Sequence, residues 1–216
     1  MNILLWSLIG FLSGAVPYSL LIGRLAGAGD IRRQADHNPG AFNVLRATNW
    51  RWFTLAMLLD GFKGAIPVGL AWFGGQVAGW GILPVALAPL LGHAYSPFLK
   101  GQGGKAVATT FGIWAGLTTG VVPTVLGLLL GWMYAVVTVS GWAMLLAFGL
   151  AGIFINIYYG PAYPQLIGVW LLNLLLIAWR HRADLQQRPA LRSWLLNLFH
   201  RKVAKESTKG HEGSRR

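Results

Sequence analysis

The sequence predicts an all-α integral membrane protein, a bundle of seven transmembrane helices with the N-terminus outside and the C-terminus cytoplasmic. Three observations lead there. Hydrophobic residues make up 55% of the chain and charged ones 11%, where a soluble domain carries about 25% charged residues. Residues 106–179 hold no charged side chain at all. Of the 18 lysines and arginines, all but Lys63 fall in three groups beside apolar runs, the pattern expected of loops that stay in the cytoplasm.

The spans follow in chain order. Residues 3–22 are the first; they lack a basic n-region, and the small triplet Ser13-Gly14-Ala15 lies inside the apolar run, so the segment reads as a retained span rather than a signal peptide. Residues 52–73 and 78–98 supply two more. The charge-free run 106–179 would extend about 110 Å as helix at 1.5 Å per residue, enough for three or four crossings of a core about 30 Å thick. Basic groups on the same side at both ends require an even number, hence four: 106–119, 122–138, 141–157 and 164–179, turning at Gly120, Ser140-Gly141 and Gly160-Pro161. Residues 1–188 form this membrane domain. Residues 189–216 form a basic, partly disordered tail in which Leu191, Trp194, Leu195, Leu198 and Phe199 alternate with Arg192, Arg201 and Lys202, the spacing of an amphipathic helix on anionic lipid.

Composition also excludes functions. The net charge of +12 belongs to this topology rather than to nucleic-acid binding. Without cysteine there is no disulfide and no thiolate metal site. The five histidines and six acids show no metal-ligand spacing. Ser96 and Ser140 lack a nucleophile elbow.

Four groups of residues carry possible chemistry. Asp60 and Lys63, three apart within the second span, share a helix face. They are either an ion pair that locks the bundle or a lysine lining a polar cavity with its orienting carboxylate. The loop 24–51 is too long and polar for a connector. Its Asn38, Asn43 and Arg46 offer carboxamides and a guanidinium that can grip a phosphate, or they form a solvated turn. Gly103-Gly104-Lys105 opens the helix that follows; its amides can point at an anion while the ammonium neutralises charge, or the lysine is a topological anchor. The Walker spacing is absent. His93 and His181, at the ends of the third and last spans, read as hydrogen-bond donors or bases, or as polar caps.

Taken in order, Asp30-Ile31-Arg32, Asn38-Pro39-Gly40-Ala41, Asn43, Arg46, Asp60, Lys63-Gly64, Gly92-His93, Ser96-Pro97-Phe98, Gly103-Gly104-Lys105, Val107-Ala108-Thr109 and Arg180-His181-Arg182 resemble the motif sequence of the bacterial acyl-phosphate:glycerol-3-phosphate acyltransferases, the PlsY family, over about residues 5–185. The resemblance implies a seven-helix enzyme of the bacterial cytoplasmic membrane. It would transfer a fatty acyl group from acyl phosphate to the sn-1 hydroxyl of glycerol 3-phosphate, giving lysophosphatidic acid and phosphate, the first step of phospholipid synthesis. Its partners would be those two substrates and membrane lipids, with no cofactor or metal. The implied catalytic residues are Lys105, His181, Asn38 and Ser140. Substrate phosphate would be held by Arg46, Asn43, Gly103, Gly104, Lys105, Lys63 and His93.

The chain departs from the family pattern in ways that bear on the reaction. The family's Gly-Ser-Gly-Asn-x-Gly-Ala-Thr-Asn is here Ala35-Asp36-His37-Asn38-Pro39-Gly40-Ala41-Phe42-Asn43. Its Phe-Lys-Gly-Gly-Lys-Gly is Gly101-Gln102-Gly103-Gly104-Lys105-Ala106, and the asparagine after the Arg-His pair is Asp184. Donors are lost and negative charge is added around phosphate. Either Arg32 or Arg33 is expected to pair with Asp36 and cancel most of that charge, or the loop turns Asp36 away and uses Asn38 instead. A divergent member with another acceptor or without catalysis, and a non-enzymatic carrier of a phosphorylated metabolite, stand as alternatives.

Overall fold

The computed structural model describes residues 3–34, 36–74, 76–195 and 197, which are helical apart from turns and one antiparallel bridge between Val137 and Leu191. Among them, four apolar segments are long enough to cross a membrane: Ile3–Leu25, Trp50–Phe73, Gly79–Leu99 and Ser140–Tyr158. Three shorter apolar helices, Val107–Thr118, Val121–Val136 and Gln165–Arg180, complete the set. The chain is thus an all-α integral membrane protein.

The helices run α1 (Ile3–Ala15), α2 (Tyr18–Leu25), α3 (Ala41–Ala47), α4 (Trp50–Phe73), α5 (Ile82–Ala94), α6 (Val107–Thr118), α7 (Val121–Val136), α8 (Ser140–Tyr158), α9 (Gln165–Arg180) and the single turn α10 (Arg182–Leu185). Leu128, Ile157, Leu175 and other large apolar side chains are exposed around the outside, as a lipid-facing surface requires. The interior closes by small residues rather than by bulk alone. A Cβ at Gly112 of α6 would strike the Gly61 carbonyl of α4, and one at Gly14 of α1 would strike Pro89 of α5. Helices in lipid gain from such close backbone approach because water-driven burial no longer pulls them together. Asn173 ties α9 to α6 by accepting from Trp114 Nε1 and donating to Thr110 Oγ1, both buried.

The first span is not continuous. Pro17 lacks an amide hydrogen and cannot extend the helix that ends at Ala15, so the chain breaks at Val16-Pro17 and restarts as α2. The break frees carbonyls inside the bundle, where each needs a donor. Lys63 Nζ donates to Val16 O at 2.9 Å, and Ser96 Oγ donates to Ala15 O at 2.6 Å.

The polar loop 24–51 folds into a 3-10 turn, Ile31–Arg33, and α3. Beyond α10, Arg192 and Trp194 donate to the carbonyls of Tyr134 and Ala135 at the end of α7. The start of the expected amphipathic tail is thus tied to α7; residues 196 and 198–216 lie outside the described residues.

Candidate active site

Three segments meet at one end of the bundle: the loop 36–46, the turn entering α6, and the end of α9 with α10. Lys105 joins them. Its Nζ lies 2.9 Å from Asp184 Oδ2 and 3.0 Å from Asp36 Oδ2. Ser140, at the start of α8, donates to Asp184 Oδ2 at 3.3 Å. Arg46 Nη1 stands 3.8 Å from Asp36. The expected pairing of Asp36 with Arg32 or Arg33 is replaced by this one, because Arg32 is already held in a two-pronged pair with Asp30, at 2.9 and 2.6 Å. That pair holds the Asp30 carboxyl at about 2, below the usual 3.8.

Asn43 is the organiser of the loop. Buried within it, Asn43 donates to Asp36 Oδ1 at 3.0 Å and to the Asn38 carbonyl at 2.7 Å, and accepts from Arg46 Nη1 at 2.7 Å. Those bonds use both its donors on the protein. The Asn38 carboxamide lies against Gly40, which starts α3.

Gly103 and Gly104 do not present their amides to an anion. The Gly103 amide donates to Ala94 O at 3.2 Å and the Gly104 amide to His93 O at 3.1 Å, closing the turn onto the end of α5. Their carbonyls accept from Arg180, through Nη2 at Gly103 and through Nε at Gly104, the latter at 3.0 Å. A side chain at Gly104 would collide with the His93 ring. The small residues are there because backbone, imidazole and guanidinium converge on this turn. The first turn of α6 itself has no side-chain cap, and its uncapped amides are the natural anion donors here. The N-cap Ala106 is held at φ 62, which accounts for a glycine at this place in the family pattern.

His181 is buried, and its Nδ1 lies 2.9 Å from the Ile177 carbonyl. A carbonyl only accepts, so Nδ1 carries the proton and Nε2 has the lone pair. Burial pushes the imidazole below its usual 6.5; the Ile177 bond opposes this, and the positive charge of Lys105 adds to it. His181 is therefore neutral at neutral pH.

Lys63 lines a small cavity with Pro39, Asp60, His93, Ser96 and Gly104. Its Nζ is 2.7 Å from Asp60 Oδ1, both side chains almost fully buried, and its remaining reach goes to Val16 O. Ser19 Oγ donates to the other Asp60 oxygen, and Thr109 Oγ1 to the Asp60 carbonyl. The geometry fits the lock between broken helix, α4 and α6, with the ammonium committed to protein partners. His93 Nδ1 is 4.0 Å from Asp60 Oδ1, under the glycine turn.

A cleft of about 610 Å³ opens between the α1–α2 break at Val16-Pro17 and the turn at residues 98–102. Leu20, Leu21, Phe98 and Leu99 form apolar walls, and Arg24, Arg32 and Lys100 line it as well. Sequence reasoning missed this cleft and the Arg180 clamp. Nothing in the order of residues says that 24, 32 and 100 meet, although the basic Arg-His-Arg run marked Arg180.

Residues 4–189 match the family model described as glycerol-3-phosphate acyltransferase. The chain is 37% identical over 191 residues to glycerol-3-phosphate acyltransferase 1 of Thermotoga maritima, covering 83% of this chain and 94% of that protein. It is 37% identical over 180 residues to the glycerol-3-phosphate acyltransferase of Paramagnetospirillum magneticum, covering 82% and 85%. In structure it is similar to the glycerol 3-phosphate form of PlsY, an integral membrane glycerol 3-phosphate acyltransferase, with TM-score 0.78, 26% identity, and coverage of 92% of this chain and 100% of that one. The lysophosphatidic acid form of PlsY matches with TM-score 0.75, 26% identity, and coverage of 86% and 91%.

Proposed function

The chain belongs to the glycerol-3-phosphate acyltransferase family, and we propose that it moves a fatty acyl group from acyl phosphate to the sn-1 hydroxyl of glycerol 3-phosphate. It is a membrane acyltransferase of the PlsY kind. The observation that carries the finer reading is the convergence of Lys105 and Arg46 on one place; the uncapped start of α6, a neutral His181, and a cleft with greasy walls and cationic groups support it.

Acyl phosphate is a mixed anhydride and already activated, so the protein has to hold two anions in line and keep water out. The acyl tail lies along Leu20, Leu21 and Phe98. Arg24 and Lys100 attract the donor's phosphate. The acceptor phosphate is gripped by Lys105 and Arg46. The acceptor hydroxyl attacks the carbonyl carbon, forming the ester C–O bond; the bond from that carbon to the phosphate oxygen breaks, and phosphate leaves with the electron pair. His181 Nε2, unprotonated, takes the hydroxyl proton. Asn38 and Ser140 border the site, Ser140 through Asp184. On this reading the chain spans the bacterial cytoplasmic membrane seven times, with the outside N-terminus and the cytoplasmic basic loops expected above.

Purified protein incubated with acyl phosphate and glycerol 3-phosphate should release phosphate and form lysophosphatidate in equal amounts. Turnover with acyl-CoA or acyl carrier protein, but not acyl phosphate, would reject the donor. Cysteines placed at Arg33 and Gln102 should label only from the cytoplasmic side; labelling from outside would reject the topology.

A further inference from the structure

The seat proposed for the acceptor phosphate is filled by the chain itself. Asp36 is 3.0 Å from the Lys105 ammonium, accepts from Asn43 at 3.0 Å and lies 3.8 Å from the Arg46 guanidinium. An ammonium, a guanidinium and an amide around one anion are the partners that a phosphomonoester would seek. Burial disfavours the charged form of Asp36, but the Lys105 bonds outweigh it and hold the carboxyl below its usual range. Asp36 is an anion at neutral pH.

The two carboxylates on Lys105 are held differently. Asp184 accepts from Ser140 and packs so closely on Gly141 that an added Cβ there would come within 2.7 Å of Asp184 Cβ. Asp36 lies in a turn, next to His37 at φ 56, and its side chain is 38% exposed against 19% for Asp184. Of the two, Asp36 is the one that can leave.

We infer that Asp36 is a specificity-determining residue which occupies the acceptor's phosphate seat and has to be displaced by the phosphate of the incoming substrate. The inference rests on the acyltransfer reading above. Lys105 and Arg46 face two carboxylates, so the seat is electrically balanced while Asp36 remains. A dianionic phosphomonoester outcompetes one carboxylate for these cations. A singly charged phosphodiester or an uncharged polyol does not. Asp36 thereby selects phosphomonoesters, at the cost of affinity, because binding is weakened by the fraction of molecules whose seat is closed.

The test is the glycerol 3-phosphate dependence of turnover in the full chain, with inorganic phosphate as a competing anion. Asp36→Asn should lower the half-saturating concentration about tenfold and lower the inhibition constant of phosphate in parallel. Preference for glycerol 3-phosphate over a glycerol phosphodiester should narrow. Asp36→Ser, whose hydroxyl can still accept from Asn43, is the second variant in case the first fails to fold. An unchanged or raised half-saturating concentration in the folded variants overturns the inference. If no form turns over, binding calorimetry with glycerol 3-phosphate reads the same tenfold change: tightened binding without turnover would reject acyl transfer and keep the Asp36 seat, and unchanged binding would reject the seat.

Discussion

The guanidinium of Arg180 donates through Nε to the carbonyl of Gly104 at 3.0 Å, across 76 positions of sequence. Through Nη2 the same group reaches Gly103 O, and its carbon lies 5.4 Å from the centre of the Tyr95 ring. The turn that delivers Lys105 is thereby fixed from the far end of α9. Lysine at 180 can make neither the fork nor the stack. Arg180→Lys should lower stability by about 1–2 kcal/mol and lower kcat more than it raises KM, since Lys105 would lose its support. Unfolding midpoints with steady-state kinetics decide this; unchanged kinetics in a destabilised protein would make the clamp purely structural.

Lys105 lies between two carboxylates at the edge of the bundle, its side chain 20% exposed. Lys105→Ala should abolish transfer while the protein still inserts and purifies as a folded species. Phosphate release from acyl phosphate in the presence of glycerol 3-phosphate is the readout. Near-normal turnover would leave the lysine as a positive anchor for topology.

The Asp60–Lys63 pair separates packing from substrate contact. Lys63→Ala strands a buried carboxylate and should cost about 3–5 kcal/mol. Removing both charges, as Asp60→Asn with Lys63→Met, should recover most of that loss. If the ammonium only staples Val16 and Asp60, the recovered double variant turns over; if it touches phosphate, the double variant folds but has lost activity.

His181 should titrate below 6.5, since burial favours the neutral ring and the Lys105 charge acts in the same direction. A group with a lowered pKa stays unprotonated as pH falls through 6.5 and gains its proton only at more acid values. Nitrogen-labelled histidine spectra of the micellar protein give both the titration and the Nδ1–H tautomer. A midpoint above 6.5, or the Nε2–H tautomer, would remove His181 as the proton acceptor.

Much of this protein is written in the order of its residues. Helix positions follow from hydropathy, which adds up locally; the expected 52–73 and 78–98 meet the membrane-length segments Trp50–Phe73 and Gly79–Leu99 within a few residues, and 164–179 meets the shorter apolar helix Gln165–Arg180. The basic clusters and the motif order also point to the family without any coordinates. What the sequence alone could not settle is which donors are free. Whether an amide or ammonium faces substrate depends on what it meets across the bundle, and that pairing is a property of tertiary distance. Gly103 and Gly104 look like anion donors until α5 takes their amides. Lys63 reads in sequence as half of an ion pair or as a cavity lysine, and the break at Pro17 adds Val16 O to its partners. Asp36 reads as a lost hydroxyl in sequence, and becomes the occupant of the seat once the fold brings Lys105 to it from 69 residues away. Composition and periodicity fix where helices lie in lipid; hydrogen-bond bookkeeping between distant segments decides which groups remain for chemistry.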